Sequence, residues 1–198
     1  MKMKIKRLIG GNLESNGYII YDKDKGSCYI VDPGYEPKRY IRELEQMELH
    51  ILGILLTHHH YDHVGAVESI AQRFGCPVHL HREDCDRYGK PVDIVLEHGQ
   101  AILLGDEVIR VIHTPGHTRG SVCFYSEKSK LAFTGDTIFN VDLGRTDLAD
   151  GSPDQMERSI RDIISKWGND ITIYPGHGDP ATMKYVRSHN QEYLDIIK

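Results

Sequence analysis

The sequence predicts an α/β protein built as a four-layer αββα sandwich, with two mixed β-sheets packed face to face and helices on the outer faces. Three observations predict it. β-prone runs and amphipathic helical stretches fall into two strand-then-helix halves. One strand after another ends on a histidine or an aspartate. No short-period repeat, linker or low-complexity tract breaks the 198 residues. A chain of that length buries roughly 70% of its unfolded surface, enough for a substantial core, so a single domain over residues 1–198 is expected.

In the first half, residues 5–9, 18–21 and 28–31 are short β-prone runs separated by Gly10-Gly11-Asn12 and Asp22-Lys23-Asp24-Lys25-Gly26. Asp32-Pro33-Gly34 closes the third with turn chemistry, and Asp32 is read equally as a turn residue and as an outer partner of a metal ligand. Residues 37–48 form an amphipathic helix with Tyr40, Ile41, Leu44 and Met47 on one face. The apolar run 51–56 follows and delivers Thr57-His58-His59-His60-Tyr61-Asp62-His63, after which Val67, Ile70, Ala71 and Phe74 recur at helical spacing. Residues 78–80 read as a short strand whose His79 and neighbouring His81 are ordinary polar residues. Residues 82–100 read as irregular and charged, and His98 among them is ambiguous.

The second half repeats the scheme. Strands are expected at 101–104, 107–113, 122–125 and 131–134, the last running into Gly135-Asp136-Thr137. Ser152-Pro153-Asp154-Gln155 supplies an N-cap, a proline at the first helical position and a capping-box glutamine. Met156, Ile160, Ile163, Ile164 and Trp167 make that helix's apolar stripe. A last strand at 171–174 leads to Pro175-Gly176-His177-Gly178 and a terminal helix from about Thr182.

Composition narrows the function. Net charge is −5, with no basic block to face nucleic acid. Cys28, Cys76, Cys85 and Cys123 are far apart and make no CxxC pair, so free thiols in a reducing compartment are expected. The basic start, Met1 to Lys6, lacks the apolar core of a signal peptide, and no apolar run is long enough to span a bilayer. The expectation is a cytoplasmic protein acting on a small molecule, without nucleic-acid or membrane partners.

The histidine cluster carries the chemistry. On an extended chain residues two apart point the same way, so His58 and His60 converge while His59 faces away and is read as structural. Asp62 and His63, where the loop enters a helix, face a second point beside the first. Neutral imidazoles and a carboxylate suit zinc, iron or manganese. Three strand-end turns add His117, Asp136 and His177. Five histidines and two aspartates exceed what one tetrahedral ion needs, and they suit two ions sharing a bridging carboxylate.

His58-x-His60-x-Asp62-His63, with His117, Asp136 and His177, resembles the metallo-β-lactamase-fold hydrolases over nearly the whole chain. The resemblance implies a first metal on His58, His60 and His117 and a second on Asp62, His63 and His177. Asp136 would bridge them, and Asp62 would also be the catalytic carboxylate. Gly135-Asp136-Thr137-Ile138-Phe139, Gly144-Arg145-Thr146-Asp147 and Tyr174-Pro175-Gly176-His177-Gly178 are similar to the short hydroxyacylglutathione hydrolase (glyoxalase II) group. Departures narrow the choice. Class B β-lactamases commonly place a cysteine where this chain has Asp136, and flavodiiron proteins a glutamate where it has His60. The longer glyoxalase II enzymes hold glutathione with a C-terminal helical domain, which is not expected here. Their substrate-side lysine is matched in charge by Arg145, the candidate anchor for a substrate carboxylate, and two of their tyrosines are Asp147 and Asp179 here.

What the resemblance implies is a thioesterase with two divalent transition-metal ions, zinc before iron or manganese, that activate water and polarise a carbonyl oxygen. A thiolate leaves without help from a general acid. The rival is a persulfide dioxygenase with one iron on His58, His117 and Asp136. A phosphodiesterase or nuclease on the same core, and a non-catalytic metal-binding role, stand behind it.

Overall fold

The first sheet is laid down by alternation. In the computed structural model, which describes residues 2–198 and so leaves Met1 of the basic opening stretch outside, β1 (Lys4–Gly10), β2 (Ser15–Tyr21) and β3 (Ser27–Val31) form an antiparallel meander. β4 (His50–Leu55), β5 (Val78–His81) and β6 (Ile94–Leu96) add to it in parallel, giving the order β1-β2-β3-β4-β5-β6. Ile19, Ile30 and Ile54 point to one face, and Tyr18, Ile20, Val31 and Leu55 to the other. Both faces are buried, as the apolar character of these strands requires.

Helix α1 (Pro37–Gln46) starts on a proline at its first turn and covers one face with Tyr40 and Leu44. After the single turn α2 (Tyr61–Val64), α3 (Val67–Phe74) adds Val67 and Ile70 to the same layer. Its end is fixed by Gly75 at φ 63°, a left-handed cap. Residues 82–100, expected to be irregular, instead hold a 3-10 turn at Arg82–Asp84, the single turn α4 (Cys85–Tyr88) and β6. β6 has only Leu96 buried, too little pattern to stand out, and it exists because it pairs with β5.

The second sheet contains β7 (Ala101–Leu104), β8 (Glu107–His113), β9 (Val122–Ser126), β10 (Leu131–Gly135), β11 (Thr172–Pro175) and β12 (Ala181–Thr182), in the order β12-β11-β10-β9-β8-β7. Only β10 and β11 pair in parallel. Between the sheets, Ile109, Val111, Phe124 and Phe133 meet Tyr18, Ile20, Val31 and Leu55. Outside, Ala132 and Ile173 meet Met156, Ile160, Met183, Val186 and Tyr193 from the helices. Three apolar clusters thus separate four layers, as the alternation predicts.

The helix after Ser152 begins as expected. The Ser152 hydroxyl accepts from Gln155 N–H at 3.3 Å, and α5 (Pro153–Arg158) widens into a π turn at Ser159–Ile163 and closes as a 3-10 turn at Ile164–Lys166. The expected terminal helix is two, α6 (Met183–His189) and α7 (Gln191–Ile197), broken at Asn190 with ψ 101°. The buried Asn190 side chain caps α7 through Oδ1, which accepts from Tyr193 N–H at 2.9 Å, and its Nδ2 donates to Asp142 O at 2.8 Å and Phe139 O at 3.2 Å. All four cysteines are free, and Cys28, Cys76 and Cys123 are buried. No helix among the described residues is long and apolar enough to cross a membrane.

Candidate metal centre

Every predicted donor follows the C-terminal end of a strand, and both sheets bring those ends to one edge. β4 leads to His58, His60, Asp62 and His63, β8 to His117, β10 to Asp136 and β11 to His177. His58, His60 and His117 form one triad of ligand atoms, and Asp62, His63 and His177 another. Asp136 lies between them, with Oδ2 3.4 Å from His117 Nε2 and 3.5 Å from His177 Nε2, and Oδ1 3.4 Å from His63 Nε2. Asp62 Oδ2 is 3.2 Å from His177 Nε2 and 3.3 Å from His63 Nε2.

These separations fit metal donors. Ligand atoms about 2.0–2.2 Å from one ion stand roughly 3–3.5 Å apart. His58 Nε2, His63 Nε2 and Asp136 Oδ1 are moreover buried with no hydrogen-bond partner, an arrangement costly unless a cation faces them. Five imidazoles and two carboxylates with no thiolate accept zinc, iron or manganese.

The same match extends along the chain. A sequence model of the metallo-beta-lactamase superfamily covers residues 10–177, from β1 to the last donor. The chain belongs to the metallo-beta-lactamase superfamily. The hydroxyacylglutathione hydrolase GloC of Haemophilus influenzae is 33% identical over 195 residues, covering 89% of this chain and 92% of that one. Among solved structures, the BLEG-1 B3 metallo-beta-lactamase aligns with a TM-score of 0.89 at 33% identity, over 94% of this chain and 98% of that one. TTHA1623, solved in a di-iron-bound form, aligns with a TM-score of 0.82 at 30% identity, over 93% and 98%. The protein is a metallo-hydrolase of this fold.

In this superfamily member the donors are aimed by partners that sequence spacing does not reveal. The His117 Nδ1–H donates to Arg145 O at 2.7 Å, and the His177 Nδ1–H to Leu13 O at 3.0 Å, which turns both Nε2 lone pairs inward. Asp32 resolves in favour of both of its readings. It sits in the turn at φ 47°, and it accepts from Thr57 N–H at 2.8 Å and Thr57 Oγ1–H at 2.6 Å, with His58 Nδ1 3.0 Å from that hydroxyl. Ser15 Oγ–H donates to Asp62 Oδ2 at 3.0 Å. Two glycines make room at the floor. Gly135, at φ 47°, passes against Thr57, and a Cβ on Gly176 would strike Asp136 Oδ1 and His63.

His59, expected to face away, lies outside both donor triads, but its ring is 4.8 Å from that of His60 and its Nε2 is 3.8 Å from Asp150 Oδ2. Its Nδ1–H donates at 2.9 Å to Asp84 Oδ2, which also receives His59 N–H at 3.1 Å and Thr118 Oγ1–H at 2.8 Å. Asp84 Oδ1 accepts Gly120 N–H at 2.6 Å. This fully buried carboxylate ties the His58–His63 loop to the turn after His117. It lies in the stretch read as irregular, and its only sequence signal is a carboxylate beside an apolar strand. His81 stacks on His113 at 4.1 Å and His98 Nδ1 accepts from His113 N–H; neither belongs to the donor set.

Electrostatics split the donors. Burial lowers His58 well below the ordinary imidazole value and His60 to about 4. Burial acts downward on His63 and His177 too, but the carboxylates beside them prevail: Asp136, Asp32 and Asp62 raise His63, and Asp136 and Asp62 carry His177 to about 9. Burial would raise Asp62 and Asp136, yet the neighbouring imidazoles hold both well below the carboxylate range.

Above the donors opens a cleft of about 870 Å³. Arg145 lines it, but its guanidinium forks onto Asp147, with Nε–Oδ1 at 2.7 Å and Nη2–Oδ2 at 2.8 Å. As a substrate anchor it has a resident competitor.

Proposed function

We propose that the protein is a metal-dependent thioester hydrolase of hydroxyacylglutathione hydrolase type. Two donor triads meeting at Asp136 on the floor of an open cleft carry this reading. His58, His60 and His117 would hold one divalent ion, zinc or alternatively iron or manganese. Asp62, His63 and His177 would hold the second, with Asp136 shared. Ions held there lower the pKa of water towards neutrality and polarise an acyl oxygen.

The chain's own residues do the remaining work. The backbone carbonyls of Arg145 and Leu13 keep the Nε2 atoms of His117 and His177 free of protons once those rings are neutral. Asp62, the catalytic carboxylate of this reading, stays ionised, and the Ser15 hydroxyl holds its Oδ2 in place beside His63 and His177. The cleft side chains outside the donor set include Tyr61 and Asp142 as titratable groups. A thiol, with an ordinary pKa of about 8.5, leaves as thiolate without either. Similarity to GloC over nine-tenths of both chains supports the same class.

A persulfide dioxygenase would use one iron on His58, His117 and Asp136, which this chain supplies too, so dependence on oxygen separates the two readings. A phosphodiesterase needs a cationic wall, whereas the guanidinium in the cleft is bound by Asp147. The deciding experiment offers S-lactoylglutathione, glutathione persulfide and a chromogenic β-lactam to metal-loaded protein, with and without oxygen. Thiol release that persists anaerobically is the expected result. Oxygen uptake with the persulfide, or β-lactam opening, without thioester turnover would sink the reading.

A further inference from the structure

We infer that the cleft selects thioesters with an apolar acyl arm on an uncharged thiol, in preference to the charged glutathione arm. This rests on the thioesterase reading and deepens it. The thioester group is common to both substrate types, so discrimination must come from the walls.

Those walls carry a cluster of apolar side chains beside Asn140, Asp142 and Arg145. Of the eleven large apolar side chains exposed on the described residues, four line this one cleft: Leu13 at 49%, Tyr61 at 67%, Val141 at 45% and Leu148 at 38%. Exposed apolar side chains gathered at one place, rather than scattered singly, mark a surface that binds. The half-buried Phe139 ring extends the wall down to the floor, edge-on to His177 with centroids 6.0 Å apart.

Charge points the same way. A glutathione arm brings two carboxylates and one ammonium, and a site that grips it needs cations to spare. One guanidinium lines the cleft and a second bonds the lining residue Gly178, and both are engaged. Arg145 is forked onto Asp147, and Arg7 holds Asp179 Oδ1 and Gly178 O, each at 3.0 Å. Asp142 on the wall also feels the negative charge of nearby Glu192. To pair with either guanidinium a carboxylate must displace Asp147 or Asp179, whereas an alkyl chain displaces only water.

The test is a two-by-two comparison on metal-loaded protein: acetyl and hexanoyl groups, each on N-acetylcysteamine and on glutathione. Full burial of one methylene is worth about fourfold in binding, and an open cleft captures part of that. We expect kcat/KM to rise at least about tenfold from acetyl to hexanoyl, mostly through KM, and to fall several-fold from N-acetylcysteamine to glutathione. Val141→Asp should flatten the acyl dependence, and Asp147→Ala, by freeing Arg145, should narrow the penalty on glutathione. Val141 and Asp147 are exposed loop residues, and the wild-type comparison stands without either variant. Equal or better turnover of the glutathione thioesters, or no acyl preference, overturns the inference while leaving the thioesterase reading intact. No hydrolysis of any of the four overturns the thioesterase reading itself.

Discussion

Replacing Asp84 with alanine would cut the tie between the two loops that carry the first donor triad. Four donors lose their acceptor at once: His59 N–H, His59 Nδ1–H, Thr118 Oγ1–H and Gly120 N–H, all within 3.1 Å of a fully buried carboxylate. A buried donor left alone costs about 1–3 kcal/mol, and such losses do not add. Removing one partner of a buried charged network costs about 3–5 kcal/mol. At roughly 2–4 °C per kcal/mol for a chain of this size, the melting temperature of the metal-free protein should fall by about 6–20 °C. Asp84→Asn, which keeps an acceptor oxygen, should lose about half as much. The effect on metal should be lopsided. All three donors of the first triad sit in the untied loops, against two of the second, so metal binding at His58, His60 and His117 should weaken more than at Asp62, His63 and His177. Scanning calorimetry and competitive chelator titration, run together on both variants, measure the two effects. An Asp84→Ala protein that melts within about 2 °C of wild type and holds both ions equally would refute the reasoning.

Asp136→Ala should remove a donor common to both triads, abolish hydrolysis and lower metal content by elemental analysis while circular dichroism stays native. Gly176→Ala should do comparable damage to metal content with no charge removed, because its Cβ would occupy the space of Asp136 Oδ1. The two ions should load with different pH dependence. His58 and His60 are already neutral near pH 7, whereas His63 and His177 carry protons that the second ion must expel. Apparent metal affinity at Asp62, His63 and His177 should climb with pH, about tenfold per unit below pH 9 for the His177 proton alone, as calorimetry in buffers of different ionisation enthalpy would record. The same shifts set the stability of metal-free protein. His177 is raised above its unfolded value of 6.5, so its proton stabilises below about pH 6.5 and that benefit is lost as pH rises through 9. His60 is lowered, so stability also falls as pH drops from 6.5 towards 4. Melting temperature after chelation should therefore peak near pH 6.5, and a monotonic profile would contradict the assignment.

The seven donors were legible in the sequence because each sits in a short local context of strand, turn and glycine that fixes where the side chain points. The layers were legible for a related reason: Ile19 and Ile20, or Ile54 and Leu55, declare by alternation which cluster they enter. Asp84 was not legible. Its partners lie 25, 34 and 36 residues away and meet it only once both sheets are assembled. Arg145 was read through its charge, but its backbone carbonyl has the clearer place in the site, and no side-chain pattern foretells that. β12, two residues long, exists because β11 offers it an edge.

Asn190 ties the last helix to the cleft wall. The donors rest on strand ends, Asp32 and Asp84, whereas the loop carrying Phe139 and Val141 is stapled by Asn190 and by Glu192 Oε2, which accepts Leu143 N–H at 2.7 Å. Substitutions in α7 can therefore reshape what the cleft admits, and through the Arg145 carbonyl two residues beyond Leu143 they also reach the donor His117. A change in the last helix therefore alters substrate choice and metal affinity together, because the wall and the aim of His117 hang on one loop.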